Sequence, residues 1–290
     1  MREPPHPPRL DALIRWAAAE FENSPTPMID ARALAKAAFG LDDAALIAEG
    51  SRFASERECK RFAVMVSRRA DEEPVAYIVG RREFWSLEFD LAPGILVPRA
   101  DSETLIEAVA RRRRRDEALR IADLGCGSGA LLCALLSEFP RATGLGVDIN
   151  PEAVAVTARN LTNLGFSGRA HAKKGDWFES IGEAFDVIVS NPPYIRTVDR
   201  DSLPREVRDY ESPLALFAGE DGLAAYRDIV KAAPGRLAAG GLMVLEFGAG
   251  QAGQVNEIAR AAFPRAHITV ENDLEGRPRA LVIDLGPAGL

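Results

Sequence analysis

The sequence predicts an α/β protein: a doubly wound, seven-stranded sheet preceded by a small N-terminal helical domain, with a β-hairpin joining the two. Three observations predict it. From Leu119 onward, short strand-like runs alternate with helical stretches, the pattern of a parallel sheet. Between Leu10 and Ala70, apolar residues recur at three- and four-residue spacing, as in LDALIRWAAAEF and DARALAKAAFG. Between these regions lie EFWSLEFDLA and ILVP, two strand-like runs flanking Pro93-Gly94. The expected boundaries are 1–76 for the helical domain, 77–98 for the hairpin linker and 99–290 for the α/β domain.

The elements follow in order. Residues 1–8 are proline-rich and are expected to be extended or disordered. Four or five helices follow, with Asp30 as an N-cap, Gly40 as a stop, and Asp42 or Asp43 and Ser55 as further starts. Pro74 ends the helical pattern. After the hairpin, helix signals resume at Ser102-Glu103 and run through LIEAVARRRRR. The strand candidates are RIADLG, ATGLGVDI, AHAKKGD, FDVIVSN, GLMVLEFG, AHITVEND and RALVIDLG. Only the short loop LEGRP separates the last two, so an antiparallel strand is expected at the end of the sheet. The run Arg111–Arg115 reads as a solvated helix C-terminus, where cations suit the helix dipole.

Composition narrows the function classes. In 290 residues, 47% are hydrophobic and 27% charged, which suits a globular enzyme. The net charge of −7 argues against a protein that coats itself on nucleic acid. Three cysteines with no CxxC pair, and three scattered histidines, exclude zinc spacing and suit a reducing cytosol. MREPPHPPRLD has no apolar core of a secretory signal, and no run reaches the length of a membrane span, so a cytoplasmic location is expected.

Asp123-Leu-Gly-Cys-Gly-Ser-Gly129 sits between a strand and a helix. Gly125, Gly127 and Gly129 permit a sharp turn and close approach of a ligand, and the helix N-terminus adds oriented N–H groups. Cys126 and Ser128 complete the loop, Cys126 as a small filler without a redox role. The GxGxG spacing, with the turn described next, excludes a nicotinamide dehydrogenase. Asp148 ends the next strand, 25 residues after Asp123, where a carboxylate can accept from both hydroxyls of a ribose. Its other reading is a helix N-cap, a role that Asn150, just before Pro151, fills better. Trp177 either covers an adenine face or is a core tryptophan.

FDVIVSNPPYI carries the most information. Its strand ends at Ser190. Pro192 and Pro193 have fixed φ and no N–H, so their carbonyls are free to face a ligand. Asn191 offers an acceptor and a donor. Together these groups can hold a planar –NH2 by both hydrogens, with the Tyr194 ring flanking it. Such nitrogens are weak nucleophiles, so positioning and preorganised electrostatics carry the rate.

These motifs resemble those of class I S-adenosylmethionine methyltransferases, with their Rossmann-like fold. More narrowly, the chain resembles the HemK/PrmC family, the peptide chain release factor glutamine methyltransferases. PVAYIVGRREFWSLEFDL, ILVPRADSETLIE, DLGCGSG, DINPEAV, NPPYI, ESPLALFAGEDGLAAYRDI, LEFGAGQ and EGRPRALVIDL carry the likeness, and DARALAKAAFG extends it more loosely into the helical domain. The resemblance implies S-adenosylmethionine as cofactor, held by Gly125, Cys126, Gly127, Ser128, Gly129, Asp148, Trp177 and Asn191. It implies that Asn191, Pro192, Pro193 and Tyr194 form the catalytic and substrate-binding motif. The implied substrate is the glutamine of the Gly-Gly-Gln loop of class I release factors, docked with help from the helical domain, and a monomer with no metal and no nucleic-acid substrate is expected. Ser102 departs from the family's PRxDTE, which has threonine there, and keeps the hydroxyl. The alternative is a nucleic-acid methyltransferase acting on an exocyclic base amine, which such a turn also holds. The chain's negative charge, and the lack of any region suited to recognising a target sequence, count against it.

Overall fold

The computed structural model describes residues 8–179 and 181–286, so the reading of residues 1–8 falls, apart from Pro8, outside the described residues. The chain divides into two compact units. One runs to Arg81 and also takes in Pro204–Tyr210. The other comprises Arg82–Leu203 and the chain from Glu211 onward.

The first unit holds α1 (Leu10–Glu20), α2 (Pro27–Phe39), α3 (Asp43–Ala48), α4 (Glu56–Ala70) and α5 (Val75–Val79). Leu10, Leu13, Ile14 and Ala17 form the apolar stripe of α1. It packs with Ala31, Leu34 and Ala38 of α2 around the fully buried Phe62 of α4. Trp16 meets Phe62 edge-on at 6.4 Å between ring centroids. Gly40 stops α2 in the left-handed conformation, as expected. Asp42 caps α3, and Ser55 caps α4 in a reciprocal box with Glu58.

Asp30 does not cap. Pro27 takes the first helical position with Thr26 before it, which places Asp30 inside α2. There its carboxylate accepts from Ser24, Thr26 and, at 2.8 Å, the buried Arg69 of α4. Arg69 also pairs at 3.0 Å with Glu206 of α9 (Arg205–Arg208), within the segment that returns to this unit.

In the second unit, β1 (Arg81–Phe84, its first residue the last of the helical unit) and β2 (Leu87–Asp90) form the hairpin. Its turn lies at Trp85-Ser86, eight residues before the Pro93-Gly94 pair that the sequence reading chose. Both turn residues have positive φ, 52° and 57°, as a two-residue turn matched to strand twist requires. Neither residue type advertises this. The Trp85 indole holds it by donating to Glu138 at 2.9 Å. Pro93-Gly94 does form a turn, closed by Ile95 N–H to the Ala92 carbonyl, but residues 95–98 do not form a strand.

The main sheet contains β3 (Arg120–Leu124), β4 (Thr143–Asp148), β5 (Ala170–Lys174), β6 (Phe185–Ser190), β7 (Leu237–Glu246), β8 (His267–Asn272) and β9 (Pro278–Asp284), in the order β5-β4-β3-β6-β7-β9-β8. β9 is the antiparallel strand. It is inserted between β7 and the edge strand β8, not added at the edge. On β3, β6, β7 and β9, neighbouring residues enter opposite cores. Ile121, Val189, Val244 and Val282 face α6 (Glu103–Ala110) and α7 (Ala130–Glu138). Ala122, Ile188, Leu245 and Leu281 face α11 (Ala224–Ala232) and α12 (Ala252–Ala262). A strand covered on both faces is apolar at successive positions, as Val187, Ile188 and Val189 of β6 are.

The arginine run lies beyond α6, which ends at Ala110, and it is more than a solvated end. Arg111 and Arg112 both pair with Glu271 of the edge strand β8, and Arg113 donates to the Gly240 carbonyl at 2.6 Å. No described helix is long and apolar enough to cross a membrane. Removing the α4 capping box by Ser55→Ala should lower the stability of the helical unit by about 1 kcal/mol. Chemical denaturation of the variant beside the parent checks this.

Candidate active site

β3 lies parallel to β4 on one side and to β6 on the other, with Leu124 opposite Val147 and Ser190. Strand order reverses here, so the loops leaving the carboxyl ends of β3 and β6 diverge and open a crevice. The glycine loop leaves β3, and Asn191-Pro-Pro-Tyr leaves β6. Asp148 ends β4 opposite Lys174 of β5, which brings the Asp176-Trp177 turn alongside. A cleft of about 990 Å³ of open space results. Its lining includes Gly125, Cys126, Gly127, Ser128, Asp148, Trp177, Asn191 and Pro193.

The loop is bent by φ of 71°, 55° and 78° at Gly125, Gly127 and Gly129, a conformation that glycine adopts without strain. A Cβ at Gly129 would also stand 2.8 Å from the Thr157 methyl. Thr157 and Asn160, on α8 (Pro151–Asn163), hold the loop from below. Thr157 donates to the Gly127 carbonyl at 3.0 Å, and Asn160 to that of Ser128 at 2.9 Å. Cys126 is buried against Thr157, and burial pushes its thiol well above the usual range, so it stays a thiol. That fits a filler. Gly146 makes room for it, since a Cβ there would be 3.0 Å from the sulfur.

The Asp148 carboxylate accepts from Gly127 N–H at 2.9 Å and from Asn150 N–H at 2.8 Å. Asn150, not Asp148, caps α8, with Pro151 at the first helical position. Burial raises the Asp148 pKa, and these two N–H groups oppose the rise. Trp177 has φ 43° and its ring lies against Gly125, where a Cβ would be 3.4 Å away. It therefore joins the cleft wall and the neighbouring core at once.

Three residues of the expected site stand apart from the lining. Gly129 is under the loop, and Pro192 is buried. The Tyr194 ring packs toward Gly248 and the second core, and the residue borders a different opening with Arg196 and Gln251. Burial first, then the Glu246 carboxylate, pushes its hydroxyl up to about 12.

Other residues form part of the site although the sequence reading, which noted the segments that hold them, gave them no role there. Gly94, Ile95, Leu96 and Pro98 build one wall, with Ile95 anchored on Ala153 and Val156 of α8. Asn191 Nδ2 donates to Ser102 Oγ at 3.1 Å, and Ser102 donates to Glu246 Oε2 at 2.5 Å. Ser102 does not cap α6 with its side chain. Asp123 is buried beneath the loop, with Oδ2 accepting from Leu132 N–H and Oδ1 without a partner among the described residues. Burial raises Asp123 and Glu246 to about 7 each. Among the described residues no cluster of His, Cys, Asp or Glu could hold a metal.

A sheet that reverses at its centre, with the cleft at the reversal, defines this protein as a class I methyltransferase in fold. Residues 12–80 match the PrmC N-terminal domain, and residues 100–204 match the methyltransferase small domain. The chain is 42% identical over 276 residues to a release factor glutamine methyltransferase of Bradyrhizobium diazoefficiens, covering 94% of this chain and 92% of that one. It is 39% identical to a namesake from Caulobacter vibrioides, covering 87% and 89%. A methyltransferase from Pyrococcus furiosus is similar in fold alone, with TM-score 0.52 and 15% identity, covering 78% of this chain and 98% of that one. The chain belongs to the release factor glutamine methyltransferase family.

A carboxyl raised by burial gives the folded state stability that is full below its ordinary pKa, 3.8 for Asp123 and 4.5 for Glu246, and is lost as pH rises through about 7. The melting temperature of the ligand-free protein should therefore fall between about pH 5 and pH 8, and less steeply in Asp123→Asn. A thermal-unfolding series across that range checks both.

Proposed function

We propose that this chain methylates the side-chain amide nitrogen of the glutamine in the Gly-Gly-Gln loop of class I peptide chain release factors, with S-adenosylmethionine as donor. The observation that carries the reading is the pairing of β3 with β6. It sets the glycine loop beside Asn191 and Pro193 on the wall of one cleft. Family membership supports the choice of glutamine over a base amine.

The cleft fits the cofactor. The Asp148 carboxylate stands at a strand end suited to a ribose, with its orientation fixed by two backbone N–H groups. Trp177 offers a ring face beside Gly125, and the glycine backbone permits close approach. When bound, the cofactor supplies an electrophilic sulfonium methyl. The residues of the chain do the rest. Asn191 and a backbone carbonyl of the Pro192-Pro193 pair accept the two hydrogens of the target –NH2. That hold places the nitrogen in line with the methyl and stabilises positive charge as it develops on nitrogen. One of the two held protons is released past its acceptor to solvent as the bond to the methyl carbon replaces the carbon–sulfur bond. Apolar walls at Ile95, Leu96 and Pro98 keep water away. Tyr194 flanks the target, for which its ring must turn from its place against Gly248 toward the cleft. The helical unit, near the span 1–76, serves as a docking surface for the release factor, and the protein acts as a cytoplasmic monomer.

Asp148→Ala should weaken S-adenosylmethionine binding by roughly 1.5–3 kcal/mol for each charged hydrogen bond lost, as read by calorimetry. Asn191→Ala should lower methyl transfer on the order of 10²-fold or more with the fold intact. The deciding experiment is mass spectrometry of class I release factors after incubation with labelled cofactor. Label on the Gly-Gly-Gln glutamine, absent when that glutamine is alanine, is the expected result. Label in RNA or DNA, with release factors unmodified, would overturn the reading.

A further inference from the structure

We propose that Ser102 and Glu246 are positioning residues that fix which way round the Asn191 side-chain amide faces the cleft, so that it presents its oxygen to the acceptor group. The proposal rests on the reading above that the acceptor carries a planar –NH2.

An asparagine amide has nearly the same shape when turned over. Its partners decide which end points where. The deciding group here is the carboxylate of Glu246, at the end of β7 and only 1% exposed. Burial raises its pKa to about 7, so above that pH the group is a carboxylate, which only accepts. Ser102 Oγ lies 2.5 Å from Glu246 Oε2, so the hydroxyl directs its single proton there. What remains on that oxygen is a lone pair, and the atom 3.1 Å away must be a donor: Asn191 Nδ2. Asn191 also helps to keep the Glu246 carboxyl charged. The nitrogen end is thus held toward the interior, and Oδ1 is left for the cleft that Asn191 and Ser102 both line. An oxygen facing an incoming –NH2 attracts it. An amide turned the other way would set N–H against N–H.

The placing of a carboxylate at this point needs a reason, since burying one costs stability unless it is well bonded. Its neighbours hold it in place. Tyr226 on α11 donates to the Glu246 backbone carbonyl at 2.9 Å. Arg279 on β9 favours the charged form, while itself pairing with Asp101 at 2.9 Å. A glutamine of equal size would fill the space with less desolvation. It would not impose the same polarity, because its –NH2 can donate to Ser102, free the hydroxyl proton for Asn191 Oδ1, and let the amide turn over.

The test uses the full chain above about pH 8, where Glu246 is ionised, with Ser102→Ala, Ser102→Thr and Glu246→Gln. Ser102→Ala and Glu246→Gln should each lower kcat for glutamine methylation by about tenfold to 10²-fold, with cofactor Kd moved less than about threefold. Ser102→Thr, which keeps the hydroxyl, should recover most of the loss seen with alanine. A second readout needs no substrate. In protein labelled with ¹⁵N in asparagine side chains, the Asn191 –NH2 pair, assigned by its disappearance in Asn191→Ala, should shift and exchange faster with solvent in Ser102→Ala and Glu246→Gln, and shift little in Ser102→Thr. Parent-like turnover in both disabling variants, or an unmoved Asn191 signal, overturns the proposal. A parent protein that leaves release factors unlabelled, while the Asn191 signal responds as described, overturns the glutamine reading and leaves the orienting role standing.

Discussion

β3 and β6 lie side by side and parallel, with Leu124 opposite Ser190, and the location of the chemistry follows from that pairing. Each strand delivers one half of the site at its carboxyl end, the glycine loop from one and Asn191 from the other. Because the strands to either side are laid down in opposite directions across the sheet, nothing fills the gap between the departing loops. The Ser190 hydroxyl donates to the Leu124 carbonyl at 2.6 Å, which ties the two strand ends together where the loops begin. The alternating apolar residues of both strands then lock the register, since a slip of one residue would exchange the two cores.

Around this frame, polar groups are buried where they hold the loops in place. Asn160 bonds the carbonyls of Ser128 and Asp90 with its amide, and its oxygen accepts from Asp90 N–H, so one side chain of α8 fastens both the glycine loop and the end of β2. Thr157 does the same for Gly127 and Cys126. Neither Thr157 nor Asn160 lines the cleft. They keep a glycine-rich segment, which would otherwise sample many conformations, in the one shape that opens toward the cleft.

The helical unit obeys a different logic. Its core is an apolar cluster around Phe62, yet its deepest charge is the Arg69–Asp30 pair. Ser24, Thr26 and Glu206 complete the hydrogen bonds of that pair, and satisfied partners are what make a buried ion pair tolerable. One of them comes from Pro204–Tyr210, far along the chain, so this unit is not built from one continuous stretch.

The sequence by itself determined the elements whose signals are local. Apolar runs bounded by glycine, proline and capping residues marked all seven strands of the main sheet, and Gly40, Asp42, Ser55 and Asn150 marked helix ends by their own backbone or side-chain chemistry. The glycine loop and Asn191-Pro-Pro-Tyr were legible for the same reason, because φ preferences and missing donors belong to the residues themselves. Tertiary structure decided whatever depends on a partner distant in the chain. Asp30 left the helix cap for Arg69, 39 residues away. The hairpin turned at Trp85-Ser86, because Glu138 holds the indole and the strand twist demands positive φ there. β9 slid between β7 and β8, since its continuous apolar face is covered on both sides only in an interior position. Ser102 and Glu246, separated by 144 residues, met beneath Asn191 only because β7 pairs with β6, a contact that no local pattern encodes.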